Sequence, residues 1–375
     1  EVRDHEGNVT QAEKQPVPGL SRISLDFRKD KVDLFAIQKY LAQRIIPKGD
    51  KQAYKAPEVE VNGPIQDANA DTGILDWIGN NAKQIDPKQI DQRFRSSPPI
   101  LLSDETTVMA FKCGRDLTFY TTKRIVKVDT QGITGKRVEY LSVPYASIKA
   151  FSVESAGSWD RDAEAKIYIN SPWMPAISQD FRKGQADIIA LQSLLAAQVI
   201  GNEDGSMGLS GEGVKAAAEA AEQAAAKSGP VSRFFEWIGD DARAVSAEEV
   251  DREFHASPPI LMADEKAEIA FKCGRDLFVI SNKRFLKVDT QGWSGQRVEY
   301  LTIPLKVCNC FSITSAGKFD FDGETSVSTD IPDRDEWGNT WSWTVNQDLR
   351  KGKTDMMTVQ EWLSTKLLKK GMAEV

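Results

Sequence analysis

The chain has 375 residues, 41% of them hydrophobic and 27% charged, with 55 acidic against 48 basic side chains and a formal net charge of −7. That length accommodates two or three domains. The acidic balance argues against generic nucleic-acid binding, which needs a basic footprint, and against a strongly anionic membrane surface.

No run of about 18 apolar residues occurs, so no integral membrane segment is expected. The chain begins at Glu1 rather than Met, which reads as a mature or trimmed form whose targeting peptide is gone. Residues 1–19 are polar, contain Pro16, Pro18 and Gly19, and are expected to be a flexible leader. A strand-like piece over 21–28, with Leu25, Phe27 and Arg28, comes next. Leu34, Ile37, Leu41 and Ile45 then recur at helical spacing and predict an amphipathic helix that stops before Pro47. Residues 20–46 are thus a strand–helix arm, and 47–74, rich in Pro, Gly, Asn, Asp and Lys, are a linker.

A first domain is expected over 75–200. It opens with Asp76-Trp77-Ile78-Gly79 and a helical stretch to Phe94, stopped by Pro98-Pro99. Strands are predicted over 108–113, 117–121, 124–128, 137–142, 150–155 and 163–170, with a glycine turn at 129–135 between the third and fourth. A strand over 178–183 and a helix over 185–199, with Ile188, Leu191, Leu195 and Val199 on one face, close the domain. Residues 201–233 are a Gly/Ala-rich linker whose 214–227 portion reads as a semi-rigid helical spacer. A second domain over 234–371 repeats the same order of elements. The predicted class is therefore mainly β with α: two tandem small antiparallel barrels or sandwiches, each closed by a C-terminal helix, plus the N-terminal arm.

The repeat is strict. Phe111-Lys112-Cys113-Gly114-Arg115-Asp116-Leu117 returns as Phe271-Lys272-Cys273-Gly274-Arg275-Asp276-Leu277, and Arg137-Val138-Glu139-Tyr140-Leu141 returns as Arg297-Val298-Glu299-Tyr300-Leu301, both at an offset of 160 residues. The offset rises to 168 after an expansion near 333–341. The closing strand–helix unit occurs a third time. Gln179-Asp180-Phe181-Arg182-Lys183, then Asp187, and Gln347-Asp348-Leu349-Arg350-Lys351, then Asp355, are matched by Leu25-Asp26-Phe27-Arg28-Lys29, then Asp33. Two domains and three closing units leave one apolar helix face to be buried elsewhere, since a strand and helix alone are only marginally stable. The arm either packs on its own chain or docks on a neighbour and links subunits head to tail, the second being the reading favoured here.

Residues suited to catalysis are sparse. His5 and His255 are the two histidines, which argues against a catalytic triad or a multi-histidine metal site; no cofactor is expected. Asp129 and Asp289 are expected to be turn formers. Lys123-Arg124 and Lys283-Arg284 either contact a phosphate or carboxylate, or pair with Asp116 and Asp276. The recurring Arg115-Asp116 and Arg275-Asp276 are expected to set strand register or pack at an interface. Cys113 and Cys273 read as small buried hydrophobes, and Cys308 and Cys310 are expected to share one strand face. A reducing compartment is the simplest reading. Trp77 and Trp237 match across repeats as core or hinge anchors. Trp159, Trp173, Trp293, Trp337, Trp341 and Trp343 are candidate interface anchors, with capping of the core as the alternative.

Phe-Lys-Cys-Gly-Arg-Asp-Leu, the Lys-Arg pairs, Val-Asp-Thr-Gln-Gly, Val-Glu-Tyr, Pro144 and Pro304, Ser-Ala-Gly at 155–157 and 315–317, and Glu164 and Glu324 together resemble the bacterial pleckstrin-homology-like family. The resemblance implies a PH-like domain with a closing helix, a tendency to form rings or higher oligomers, and no enzymatic activity. The acidic tandem form is similar to diatom and algal pyrenoid shell proteins. That likeness implies a self-assembling sheet around the Rubisco condensate in the chloroplast stroma, with further copies of the chain and the Rubisco matrix or its linker proteins as partners. The competing expectation is a tandem PH-like adaptor for lipid headgroups or a protein, with the Lys-Arg pairs as contacts.

Overall fold

The computed structural model describes residues 2–3, 9–10, 34–46, 84–96, 98–113, 116–131, 137–155, 162–170, 176–182, 186–201, 245–256, 259–273, 276–291, 297–314, 322–334, 340–350 and 356–368. Ahead of the repeats stand β1 (Val2–Arg3), which pairs with β2 (Val9–Thr10), and the arm helix α1 (Leu34–Ile45). The first repeat comprises α2 (Pro87–Ser96), β3 (Thr107–Cys113), β4 (Asp116–Thr121), β5 (Arg124–Gln131), β6 (Arg137–Pro144), β7 (Ile148–Glu154), β8 (Asp162–Ile169), β9 (Ala176–Arg182) and α3 (Ile188–Ile200). The second comprises α4 (Ala247–Ala256), β10 (Ala267–Cys273), β11 (Asp276–Ser281), β12 (Arg284–Gln291), β13 (Arg297–Pro304), β14 (Cys308–Thr314), β15 (Asp322–Arg334), β16 (Thr340–Arg350) and α5 (Met356–Leu368).

Local chemistry sets these boundaries. Pro87 opens α2 where no backbone donor is needed, and Asp86 Oδ1 accepts the Lys88 N–H at 3.0 Å. Both α2 and α4 end where the chain folds back, so that the Ile100 and Ile260 N–H groups reach the carbonyls of Phe94 and Phe254 at 3.0 and 2.8 Å. Asp187 caps α3 by accepting the Ala190 N–H at 2.9 Å, and Gly201 ends it at φ 70°, a left-handed conformation that costs glycine nothing. The helical stretch expected from residue 76 is corrected at its described start: Gln84 forms an isolated antiparallel bridge with Phe111, and the helix begins at Pro87.

Each repeat divides into a four-stranded antiparallel part and a three-stranded part carrying the closing helix. Among the described residues the sheets do not close into barrels, which fits the sandwich alternative. In the first repeat one face of β3–β6 packs on α2 through Ile90, Phe94, Leu117, Phe119 and Val126. The opposite face, with Met109, Phe111, Tyr120 and Ile125, meets β7–β9 and the apolar side of α3. The second repeat builds the same two clusters. The expansion of repeat two lengthens the β15–β16 hairpin to strands of 13 and 11 residues, against 8 and 7 in β8 and β9.

Two local expectations are corrected. Asp129 and Asp289 lie inside β5 and β12, opposite Glu139 and Glu299, because the strands run on to Gln131 and Gln291 before turning. Cys308 and Cys310 do not share a face: a register shift between them inserts an extra residue, leaving Cys308 buried and Cys310 exposed.

The two repeats are not separate sheets. β13 of the second pairs antiparallel with β7 of the first, giving one seven-stranded sheet in the order β10-β11-β12-β13-β7-β8-β9.

Candidate assembly interface

The joint between the repeats starts from a buried ion pair that recurs in each. Arg284 is wholly buried; its Nε and Nη2 contact the Glu265 carboxylate at 2.8 and 2.9 Å, Nη2 donates to Ile260 O at 2.6 Å, and Nη1 donates to Thr302 Oγ1 at 2.9 Å. Arg124 repeats this with Glu105 (2.8 and 3.0 Å), Ile100 O (2.7 Å) and Ser142 Oγ (2.9 Å). Burial pushes the Glu265 carboxyl up, but the Arg284 guanidinium and hydrogen bonds from Arg284, Ser281 and the Met262 N–H outweigh it and hold the acid below its ordinary value. One rigid cluster thus ties the loop after α2 or α4, the β4–β5 or β11–β12 hairpin, and strand β6 or β13 together. Lys123 and Lys283 pair with Asp104 and Asp264 at 2.7 and 2.6 Å. The expected pairing of these cations with Asp116 and Asp276 is therefore corrected. Contact of the two arginines with an external anion is corrected too, since each already holds a buried acid. Asp116 and Asp276 instead face Asp129 and Asp289; burial and the neighbouring carboxylate both raise their pKa.

On this frame the repeats meet. Glu299, Tyr300, Leu301 and Thr302 of β13 lie opposite Glu154, Val153, Ser152 and Phe151 of β7. Ser155 extends the ladder, its N–H donating to Val298 O at 2.9 Å while its Oγ accepts the Val298 N–H at 3.0 Å. Arg297 pairs with Glu154, and Lys149 with Asp330 at 2.8 Å. Tyr168 stacks on Trp343 with ring centroids 5.3 Å apart. The closing helix of the first repeat rides along: Ile189 packs into the second repeat's cluster, Gln192 Nε2 donates to Ile260 O at 3.1 Å, and Ser193 Oγ to Pro259 O at 3.1 Å.

Both halves of this joint occur a second time, facing outward. The counterpart of β13 is β6, and that of β7 is β14. Among the described residues each is the outermost strand of its sheet. The sequences are nearly interchangeable: Arg137 to Ser142 reads RVEYLS against RVEYLT in β13, and Cys310 to Thr314 reads CFSIT against AFSVE in β7. Exposure differs between the two places. Val298 and Tyr300 are 1% and 0% exposed, whereas Val138 and Tyr140 are only half-buried. Residues 150–154 of β7 are all buried, whereas in β14 Cys310, Ser312 and Thr314 are exposed and Phe311 and Ile313 half-buried. We call the β6 side the head and the β14 side the tail.

The arm helix sits on the head of its own chain, the first of the two outcomes expected for it and not the favoured docking on a neighbour. The Phe35 ring meets Tyr140 edge-on at 5.5 Å, Gln38 Nε2 donates to Ser142 Oγ at 2.8 Å, and Ala42 and Ile46 pack on Leu102. The side predicted to be its apolar face points the other way. Leu41 and Ile45 are 44% and 61% exposed and Ile37 is half-buried; of Leu34 only the backbone is described.

Of the tryptophans expected at interfaces, Trp343 stands at the inter-repeat joint, and the Trp341 backbone lies in β16 opposite Asp333. Leu25, Phe27, Arg28, Trp77, Trp237, Trp159, Trp173, Trp293, Trp337, Arg115 and Arg275 lie outside the described residues, as do residues 47–74 and 202–233 and most of the leader. Sequence reasoning missed Arg124, Glu105, Arg284 and Glu265 as one buried network. It also missed Gln38 and Gln192, whose only signal was the glutamine held at the same place in all three copies of the closing unit.

Comparison with known proteins places each repeat. YjqA, an uncharacterized protein of Bacillus subtilis (strain 168), is 42% identical over 125 residues, which is 33% of this chain and 97% of that protein. A solved DUF1696 family protein with a pleckstrin-homology domain from Shewanella loihica PV-4 is 36% identical, covering 32% of this chain and 97% of its own, with a TM-score of 0.28. A solved pleckstrin homology domain from Shewanella amazonensis SB2B is 29% identical, covering 36% and 98%, with a TM-score of 0.26. The family model described as "Bacterial PH domain" matches residues 73–199 and again 236–364. With both repeats matched, the chain belongs to the bacterial PH domain family, as a tandem member.

Proposed function

We propose that this chain is a non-enzymatic structural protein that assembles head to tail with copies of itself, and that such chains associate into a sheet-like shell enclosing the Rubisco-containing pyrenoid of a chloroplast. The observation that carries the reading is the inter-repeat joint: it is built once within the chain, and both of its halves stand open once more, in nearly the same residues. Pairing β14 of one copy with β6 of the next would place Ile313 opposite Tyr140, Ser312 opposite Leu141 and Phe311 opposite Ser142, by the register of β7 on β13. Such a contact is heterologous, so it propagates unless the rotation closes a ring. An outermost strand with exposed ladder groups is a ready template for this pairing. Thr314 stands where Glu154 faces Glu299, so the joint between copies carries one carboxylate fewer than the joint within the chain. The pyrenoid assignment is supported by the resemblance of the acidic tandem form to pyrenoid shell proteins.

The test is a directed cross-link. Ser155 and Val298 exchange hydrogen bonds, so by strand alternation Leu301 and Ser152 occupy a non-hydrogen-bonded site, where Cα atoms approach to about 4.5 Å and a disulfide fits. A chain carrying Leu141→Cys and Ser312→Cys, with Cys310→Ser to remove the neighbouring thiol, should give a ladder of covalent multimers on oxidation. A monomer band alone, at concentrations where larger species are sought by light scattering, would overturn the head-to-tail reading. For the pyrenoid assignment, a fluorescent fusion should outline the Rubisco condensate; diffuse stromal signal would count against it.

A further inference from the structure

We infer that α1 is a built-in competitor for the tail of a second copy: it occupies, on the head of the first repeat, the seat that the closing helix α5 of a neighbour takes when β14 pairs with β6. The inference rests on the head-to-tail reading and adds how that assembly is held back.

The argument is a three-way equivalence. Asp26 matches Asp180 and Asp33 matches Asp187, both at an offset of 154 residues. Carried along the helix, this offset sets Phe35 on Ile189, Gln38 on Gln192, Ala42 on Ala196 and Ile46 on Ile200. Each pair reaches the same neighbourhood of its repeat. Phe35 lies against Tyr140, as Ile189 lies in the cluster holding Val298 and Tyr300. Gln38 donates to Ser142 Oγ and Gln192 to Ile260 O; these acceptors are not matching positions, but both are groups that the buried arginine of the same repeat holds. Ala42 and Ile46 pack on Leu102, as Met262, the residue matching Leu102, and Ile200 both pack against the cluster containing Ala196. Thus α1 is docked on the first repeat as α3 is docked on the second.

The other side of each helix completes the equivalence. In α3, Leu194, Leu195 and Val199 are at most 1% exposed, buried in the repeat that the helix closes. Their counterparts Tyr40, Leu41 and Ile45 are 40%, 44% and 61% exposed, because among the described residues no strand layer lies over α1. Hence, among the described residues, α1 fills the helix seat of the joint while no strand pairs with the outer edge of β6.

For α5 the offset of 168 sets Val359 and Leu363 on Leu191 and Leu195, and both are buried in its own repeat. The same offset sets Met357 on Ile189 and Gln360 on Gln192; Met357 is 72% exposed and Gln360 half-buried. The glutamine recurs in all three helices. Since α5 packs on β14 as α3 packs on β7, a tail that pairs with β6 brings α5 onto the ground α1 holds. The two helices cannot share it, so assembly requires α1 to leave.

Two measurements test this on the full chain. Phe35→Ala with Gln38→Ala loosens the arm without altering either strand of the joint. It should lower the concentration at which larger species appear in sedimentation velocity by about tenfold or more, since apparent affinity scales with the fraction of open heads. Hydrogen exchange on the unaltered chain should show α1 protected in the monomer and unprotected in the assembled fraction, because a lone helix of this length is marginal in water. Equal or weaker assembly of the variant, or an α1 that keeps its protection in assemblies, overturns the competitor role while leaving the head-to-tail reading intact. Absence of assembly in every form, together with no ladder from the Leu141→Cys/Ser312→Cys chain, overturns both.

Discussion

Glu105 and Glu265 each sit wholly buried against an arginine that also holds a backbone carbonyl and a hydroxyl of the joint strand. Removing one partner of such a pair strands a charge away from water. Glu265→Gln should therefore cost about 3–5 kcal/mol of stability at pH 7 in urea unfolding. Because the Glu265 pKa lies below its ordinary value of 4.5, its contribution is present above that value and is lost as pH falls through the folded one, so mutant and parent should converge in acid. The aspartates behave oppositely. Asp276 is raised from 3.8, by burial first and by Asp289 second, so its charge burdens the fold at neutral pH. Asp276→Asn should raise the melting temperature at pH 7, and calorimetry should show the gain vanishing well below pH 3.8. At this scale the sequence was partly legible: it showed Lys-Arg and Arg-Asp pairs recurring, but not which acid each cation meets. Glu105 and Arg124 are 19 residues apart, and only the fold of the intervening loop and strands brings them to 2.8 Å.

At the scale of elements, most strands begin and end within a few residues of their predicted places, because period-two burial and glycine turns are local signals. The face of α1 was not legible. Its apolar stripe of Ile37, Leu41 and Ile45 matches the core-facing stripe of α3, so periodicity alone points it inward. The structure docks Phe35, Gln38 and Ala42 instead, because the layer that α3 and α5 cover is not set over α1 among the described residues. The tail strand offers a direct test. Val153 and Tyr300 form a hydrogen-bonded pair by alternation from Ser155, so the Ile313 N–H faces the open edge. Ile313→Pro removes that donor and should abolish assembly in size-exclusion chromatography while circular dichroism remains that of the folded chain.

For the whole molecule, the sheet that spans both repeats turns a duplicated domain into a unit with a head and a tail. Cys310 reports on this without mutation. It is exposed, while Ala150, its counterpart in the filled joint, is fully buried by the second repeat. Head-to-tail assembly should therefore slow maleimide labelling of Cys310, read by mass spectrometry, by an amount that grows with protein concentration. Labelling that does not depend on concentration would show that the tail stays open.

The sequence by itself determined the duplication, the order of strands and closing helices, and the third copy of the closing unit, because each is written in local pattern and in offset between copies. It also carried the likeness to the bacterial PH family in residues spread through both repeats. Only the tertiary structure decided that β7 crosses to pair with β13, that Arg124 and Arg284 turn inward, and that α1 lies on the head with its apolar stripe outward. These outcomes depend on which surfaces meet across more than a hundred residues of chain, as in the 143 separating Ser155 from Val298, and strand pairing at that range leaves no periodic trace in either partner.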